Sequence, residues 1–384
     1  MLFSGSLPLS LYIHIPWCIK KCPYCDFNSH RAGKNVPEEE YIDRLIEDLE
    51  ADLSRVWGRK IHSIFIGGGT PSLFSAKSIE RLLQAIHARL TVYPDAEITL
   101  EANPGTFEQE KFRDYRLAGI NRLSVGIQSF QADKLQALGR VHDAEEAKRA
   151  IEIVHQAGFT NFNIDLMHGL PNQSIEDALY DLQTAIDFNP PHLSWYQLTL
   201  EPDTVFARHP PRLPDDENLW LIQEAGNQLL AKHGYEQYEI SAYSKSNHRC
   251  HHNLNYWRFG DYLGVGAGAH GKITNLSNNT ITRTVKTRNP SDYLNKAIPF
   301  LSQEEQVLEK AVSFEFMLNA LRLIDGVDAD LFLLRTGLPL ATIEKIVEEA
   351  KQKGFLEKEN ARLKTTVLGR YFLNDCLDLF LFEN

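Results

Sequence analysis

Three of the five cysteines in this 384-residue chain fall within "CIKKCPYCDF", residues 18–27. Cys18, Cys22 and Cys25 form C-x3-C-x2-C, with Lys20 and Lys21 between them, a polar setting unlike that of buried thiols acting as small hydrophobes. A structural zinc ion takes four ligands, usually from two paired loops. Here only three are local, and the remote source of a fourth is Cys250 with His248, His251 and His252. A ferredoxin-type cluster also takes four cysteines. Three thiolates on one loop can hold three irons of a [4Fe–4S] cube and leave the fourth iron open, so that it can bind a substrate directly.

The elements that must position this loop follow a repeated pattern up to about residue 200. Short β-rich runs alternate with amphipathic stretches. The strands expected are "LYIHIPW" (11–17), "IHSIFIGG" (61–68), "EITLEANP" (97–104), "RLSVGIQSF" (122–130), "FNIDLMHGL" (162–170) and "HLSWYQLTL" (192–200). Between them, Ile42, Leu45, Ile46, Leu49 and Leu53 share one helical face, and "SAKSIERLLQAIHARL" opens on Ser75 as an N-cap. Six alternations predict a parallel α/β fold, either an open doubly wound sheet or a whole or partial β/α barrel. In both, chemistry gathers at the C-terminal ends of the strands. The cysteines follow strand one and "GGGTPS" (67–72) follows strand two. Glu101 and Gln128 end strands three and four, and Asp165 lies in strand five. The glycines at 67–69 suit close approach of backbone to a ligand, and equally a tight strand-to-helix turn.

After residue 200 the pattern changes. Segment 215–234 reads as a helix and "YEQYEISAYS" as an edge strand. A His-, aromatic- and Gly-rich stretch follows, and from about 304 the chain reads as two helices and a short polar hairpin. This tail suggests a small winged-helix-like or helical unit, not notably basic, serving as a cover or docking module. Expected boundaries are 1–240, 241–300 and 301–384. Composition is that of a soluble globular protein, 43% apolar and 24% charged. The net charge of −11 argues against a non-specific nucleic-acid or membrane-surface binder. No apolar run approaches the ~18 residues that span a bilayer. The N-terminus lacks the basic region of a secretory signal, and sparse cysteine points to a reducing cytoplasm.

C-x3-C-x2-C with Tyr24 before its last cysteine resembles the signature of the radical S-adenosylmethionine (SAM) enzymes. The resemblance implies an incomplete (β/α)6 barrel carrying a [4Fe–4S] cluster whose open iron is chelated by SAM. "GGGTP" is similar to that family's glycine-rich motif, with Thr70 where many members have Glu. The likeness narrows to the oxygen-independent coproporphyrinogen III oxidases and their HemW-type heme-chaperone relatives. "YIHIPWC", "EANPG", "RLSVGIQSF", "LGRVHD" and "FNIDLMHGLP" carry it over most of the chain. It implies SAM contacts from Tyr12, Tyr24, Gly68, Gly69, Thr70, Glu101, Gln128, Arg140 and Asp165. The chemistry of these residues suits SAM. Carboxylates and amides hold ribose hydroxyls and the methionyl amine, and Arg140 can pair a carboxylate. Strand-end caps and structural ion pairs are the plainer alternatives.

Two departures count against the oxidases. They carry a further cysteine two positions after the last ligand, where this chain has Phe27, and they precede the motif with a longer segment. "HHNLNYW" (251–257) instead resembles the HNxxYW element of the heme chaperones. It implies heme contacts from His252, Tyr256 and Trp257, with imidazole as an axial iron ligand and the rings as flat faces for the porphyrin. Packing beneath the C-terminal unit is the alternative. His14, on strand one, is a second porphyrin-side candidate with a structural role favoured. The expectation is a cytoplasmic heme chaperone that binds heme, a [4Fe–4S] cluster and SAM and passes heme to acceptor hemoproteins. It would use an electron donor and bind no nucleic acid. The alternative is a coproporphyrinogen III oxidase, which decarboxylates propionate side chains.

Overall fold

The computed structural model describes residues 1–33, 35–106 and 109–381. Its main sheet has twelve strands: β1 (Leu9–Ile15), β2 (Lys60–Gly68), β3 (Thr91–Ala102), β4 (Arg122–Gln128), β5 (Phe162–His168), β6 (His192–Gln197), β7 (Glu236–Glu239), β8 (Ala242–Ser244), β9 (Asp261–Val265), β10 (His270–Asn275), β11 (Thr280–Lys286) and β12 (Leu301–Gln306). The spatial order is β12-β11-β10-β9-β1-β2-β3-β4-β5-β6-β8-β7. From β9 across to β6 every neighbour is parallel. Both ends are extended by antiparallel strands. No strand pairing joins the two ends among the described residues, so the barrel is open.

Strands covered on both faces usually read as continuous apolar runs, but these alternate. Leu9, Leu11, Ile13 and Ile15 of β1, Ile64 and Ile66 of β2, and Leu123, Val125 and Ile127 of β4 belong to one buried core. The residues between them point the other way. Register places Ser10 beside Ser63, Tyr12 beside Phe65 and His14 beside Gly67. It then aligns Ser63 with Glu97, Glu101 with Ser124 and Gly126 with Asp165. One face of the sheet is therefore apolar and lies under helices, while the other is polar and encloses the interior.

The covering helices are α1 (Glu38–Asp52), α2 (Ala76–Arg89), α3 (Gln109–Ala118), α4 (Ala144–Gln156), α5 (Ile175–Asp187) and α6 (Asp216–Lys232). The stripe expected on α1 is buried at Ile42, Leu45 and Leu49, each such side chain contributing about 1.5–3 kcal/mol. Ser75 caps α2 by accepting from Ser78 N. Asp143 and Ser174 open α4 and α5 with reciprocal capping boxes, caps that are typically worth ~1 kcal/mol.

The stretch expected only to connect two units builds much of the sheet. Helix α7 (His251–Trp257) crosses the polar face. Strand β9 pairs in parallel with β1, aligning Val265 with Ile13, and β10 and β11 follow as a hairpin. Residues 304–306, which read as the start of a helix, end the exposed edge strand β12, and helix α8 begins at Glu309. Glu and Gln are good helix formers, but pairing with β11 overrides their preference, and charges suit an unpaired edge.

The C-terminal unit packs α8 (Glu309–Ala320), α9 (Asp330–Thr336), α10 (Glu344–Gln352), α11 (Val367–Tyr371) and α12 (Leu373–Asp378) around Phe316, Met317, Phe332, Val347 and Phe380. A wing-like turn brings Leu356 opposite Thr365, and Arg362–Leu363 pairs with Val327–Asp328. Phe259 stacks edge-on against Phe316, and Arg322 bonds Glu239 at 3.0 Å, tying this unit to the sheet. No helix among the described residues is long and apolar enough to cross a membrane.

Candidate functional site

The cysteine loop leaves the C-terminal end of β1. Trp17–Cys18 pairs with His30–Arg31, closing a loop that holds all three thiols. The glycine turn after β2 docks against its base: Gly69 N donates to Ile15 O at 2.8 Å and Thr70 N to Trp17 O at 2.7 Å. Glycine is required for that approach. A Cβ on Gly69 would lie 2.5 Å from Trp17 O, and one on Gly68, whose φ is +116°, would lie 2.6 Å from His14 Cε1. The three cysteines are half-buried and free. Thr70 Oγ1 donates to Cys18 Sγ at 3.5 Å, and Arg140 Nη1 to Cys22 Sγ at 3.8 Å. Burial pushes the Cys18 and Cys25 thiols up.

Among the described residues no three His, Cys, Asp or Glu converge as ligands of one metal ion. The remote zinc ligands considered from the sequence lie elsewhere. Cys250 is fully buried, its Sγ donating to Glu97 at 3.4 Å. The His248 ring is engaged with Ser246 O at 2.8 Å.

Cys18, Cys22 and Cys25 line a chamber of about 270 Å³ together with Tyr24, Gly68, Gly69, Thr70, Glu101, Gln128, Arg140 and Asp165. These are eight of the nine SAM-contact candidates; the ninth, Tyr12, lines a neighbouring chamber. Glu101 Oε2 accepts from Gly68 N at 3.0 Å. Burial, and then the Asp165 charge, push its carboxyl up to about 8. Asp165 is raised by burial as well, against hydrogen bonds from Ser124 and Asn163. Arg140 Nη2 donates to Asn103 Oδ1 at 2.7 Å and Gly126 O at 2.6 Å. Gln128 holds a left-handed backbone (φ +73°), and its side-chain oxygen accepts from Tyr196 OH at 2.8 Å. Asn103, Ser124 and Tyr196 were not singled out from the sequence. Asn103 sits inside "EANPG" and was legible there; Ser124 and Tyr196 declare themselves only through register.

The second chamber, about 550 Å³, shares Phe27, Gly68 and Glu101 with the first. Tyr256 and Trp257 line it, and His252 does not. The His252 imidazole, expected to face a porphyrin, is buried with both ring nitrogens engaged. That residue is 1% exposed. Its Nδ1 lies 3.0 Å from Ser63 Oγ and its Nε2 2.9 Å from Tyr256 OH, and burial lowers it to about 3. Glu97 holds the start of α7, accepting from the backbone N–H of His251 and His252. His14 is likewise satisfied: Nε2 donates to Asn28 O at 2.9 Å, so Nδ1 accepts from Tyr12 OH at 2.9 Å. Tyr262, His270, Lys272, Arg283 and Arg288 are among its other lining residues. They were missed because they face the chamber only once β9–β11 join β1.

A polar-lined, open α/β sheet with three free thiols on the loop after its first strand is the arrangement that the radical SAM resemblance implies, and the chain is a radical SAM protein. The radical SAM superfamily pattern matches residues 12–185, and the HemN C-terminal domain matches 307–372. Within that class the chain belongs to the HemW family. It is 53% identical to heme chaperone HemW of Haemophilus influenzae over 98% of both chains. It is 51% identical to that of Escherichia coli over 98% of this chain and 99% of the relative, and 33% identical to that of Bacillus subtilis over 97% and 99%. The fold matches E. coli coproporphyrinogen III oxidase (HemN), a radical SAM enzyme, with a TM-score of 0.82 at 22% identity over 98% of this chain and 90% of that one. Membership of the radical SAM class implies a [4Fe–4S] cluster and SAM.

Proposed function

We propose that this chain is a heme chaperone that binds heme, a [4Fe–4S] cluster and SAM and passes heme to acceptor hemoproteins. The observation that carries the reading is the pair of chambers meeting at Gly68, Glu101 and Phe27. The names of the full-length relatives, heme chaperone HemW, supply the cargo.

In this reading Cys18, Cys22 and Cys25 hold the cluster. Tyr24, Gly68, Gly69, Thr70, Glu101, Gln128, Arg140 and Asp165 surround SAM, with Tyr12 at the boundary. When bound, the cluster and SAM supply one-electron chemistry, fed by an electron donor. The residues of the chain bind and orient. Glu101, pushed up to about 8, is protonated at neutral pH, so its hydroxyl can donate while its other oxygen keeps the Gly68 turn in place. Arg140 ties Asn103 to the Gly126 carbonyl at the chamber wall. In the second chamber Tyr256 and Trp257 offer flat faces to a porphyrin.

The test is anaerobic reconstitution followed by heme titration beside a porphyrinogen decarboxylation assay. Saturable heme binding with no turnover of coproporphyrinogen III is the expected result. Turnover above background would reassign the protein as an oxidase.

A further inference from the structure

A heme site with a histidine axial ligand calls for an imidazole nitrogen free for iron, flat apolar walls and cations for two propionates. Of the histidines near the second chamber, His252 and His14 have both ring nitrogens engaged. His270 stands at the start of β10, is exposed, and lines the same chamber. No hydrogen bond is made by its ring among the described residues. Strand geometry sets its direction. His270 and Lys272 alternate on one face of β10. Lys272 lies directly opposite both Tyr262 and Arg283 in register, so His270 shares its face with three chamber residues.

The cations sort by what already holds them. Lys272 is buried against Asp261 at 2.9 Å. Arg283 donates to Tyr262 OH at 2.6 Å and to Glu315 at 2.5 Å. Arg288 also lines the chamber, and its guanidinium has no ion pair or hydrogen bond among the described residues. The lining acids are Asp26 and Glu101, and Glu101 carries its proton at neutral pH. Trp257 adds a buried indole N–H without a hydrogen-bond partner among the described residues. Such a group costs stability unless a ligand accepts from it.

We propose that His270 is the axial ligand to heme iron in the second chamber and that Arg288 pairs a propionate, with His252 acting on Tyr256 rather than on iron. The inference rests on the heme-binding reading above and assigns its residues. Burial, followed by the neighbouring Arg288 and Arg283 charges, lowers the His270 imidazole, which keeps it neutral and available to a metal.

The test compares visible and EPR spectra of the heme-loaded, reconstituted full chain with His270→Ala. The expected result is a shifted Soret band and a changed spin state that added imidazole restores, with cluster content and thermal midpoint unchanged. Arg288→Gln should weaken heme binding about tenfold yet leave binding of the heme dimethyl ester, which lacks the carboxylates, unaltered. A His270→Ala spectrum identical to the parent would overturn the ligand assignment, most plainly if His252→Asn changed it instead. Equal weakening of heme and ester by Arg288→Gln would overturn the propionate pairing. Absence of heme binding by the parent chain would instead defeat the chaperone reading beneath both.

Discussion

Glu101 Oε2 accepts from the Gly68 amide at 3.0 Å, and both residues face the cysteine chamber and its larger neighbour. A carboxyl from β3 thus holds the turn after β2 at the boundary between the two cavities.

That carboxyl gives a pH prediction. Its folded value is raised to about 8, above an unfolded value near ~4.3. Its stability contribution is therefore full below ~4.3 and is lost as pH rises toward about 8. In Glu101→Gln this loss disappears, so the variant should gain on the order of 2–4 kcal/mol relative to the parent between pH ~5 and ~8. Asp165 leaves a residual slope of the same sign. Denaturant unfolding of the apoprotein across that range checks it, and parallel curves for the two proteins would contradict it.

Gly68→Ala should destabilise the turn by more than ~2 kcal/mol, since the new Cβ meets His14 at a positive φ. It should also reduce cluster content, because the same turn braces the cysteine loop. Gly33→Ala, with its nearest neighbour 3.9 Å away, should be near neutral. Thermal midpoints and iron content measured together separate the two.

Cys18→Ala, Cys22→Ala and Cys25→Ala should each abolish the broad visible absorbance of a reconstituted iron–sulfur cluster. Cys250→Ala, remote and bonded to Glu97, should retain it. Full cluster in any of the first three variants would refute a three-thiol site.

Arg140→Gln should keep most of the cluster while SAM affinity falls at least about tenfold, because the tie from Asn103 to the Gly126 carbonyl is lost. Isothermal titration with SAM on the reconstituted protein measures this. An unchanged affinity would make Arg140 a structural residue only.

Ser63→Ala removes one partner of the buried His252 ring and should cost ~1–3 kcal/mol. Chemical denaturation checks it, and loss of less than ~0.5 kcal/mol would mean the ring re-bonds elsewhere.

The first chamber was largely legible in the sequence because its residues sit at or near the ends of strands whose apolar alternation is strong. Cys18, Glu101 and Gln128 follow from counting along β1, β3 and β4. The second chamber was not. "DYLGV" is short and Gly-containing and "LSQEEQ" is made of helix formers, so neither reads as sheet locally; "TITRTVK" is β-rich, but its sequence does not show which strand it joins. Their pairing is tertiary: Val265 meets Ile13 across a long separation in sequence. The surroundings of His252 were hidden for the same reason. Its residue type suggests a ligand, but only the fold reveals Ser63 and Tyr256 at its two nitrogens.

The most direct measurement is a time course of heme transfer from the loaded, reconstituted protein to an apo-hemoprotein, followed by the acceptor's Soret band. The account expects the acceptor to gain heme as this protein loses it, faster than free heme release allows. A donor that keeps its heme, or an acceptor that fills no faster than by spontaneous release, would contradict it.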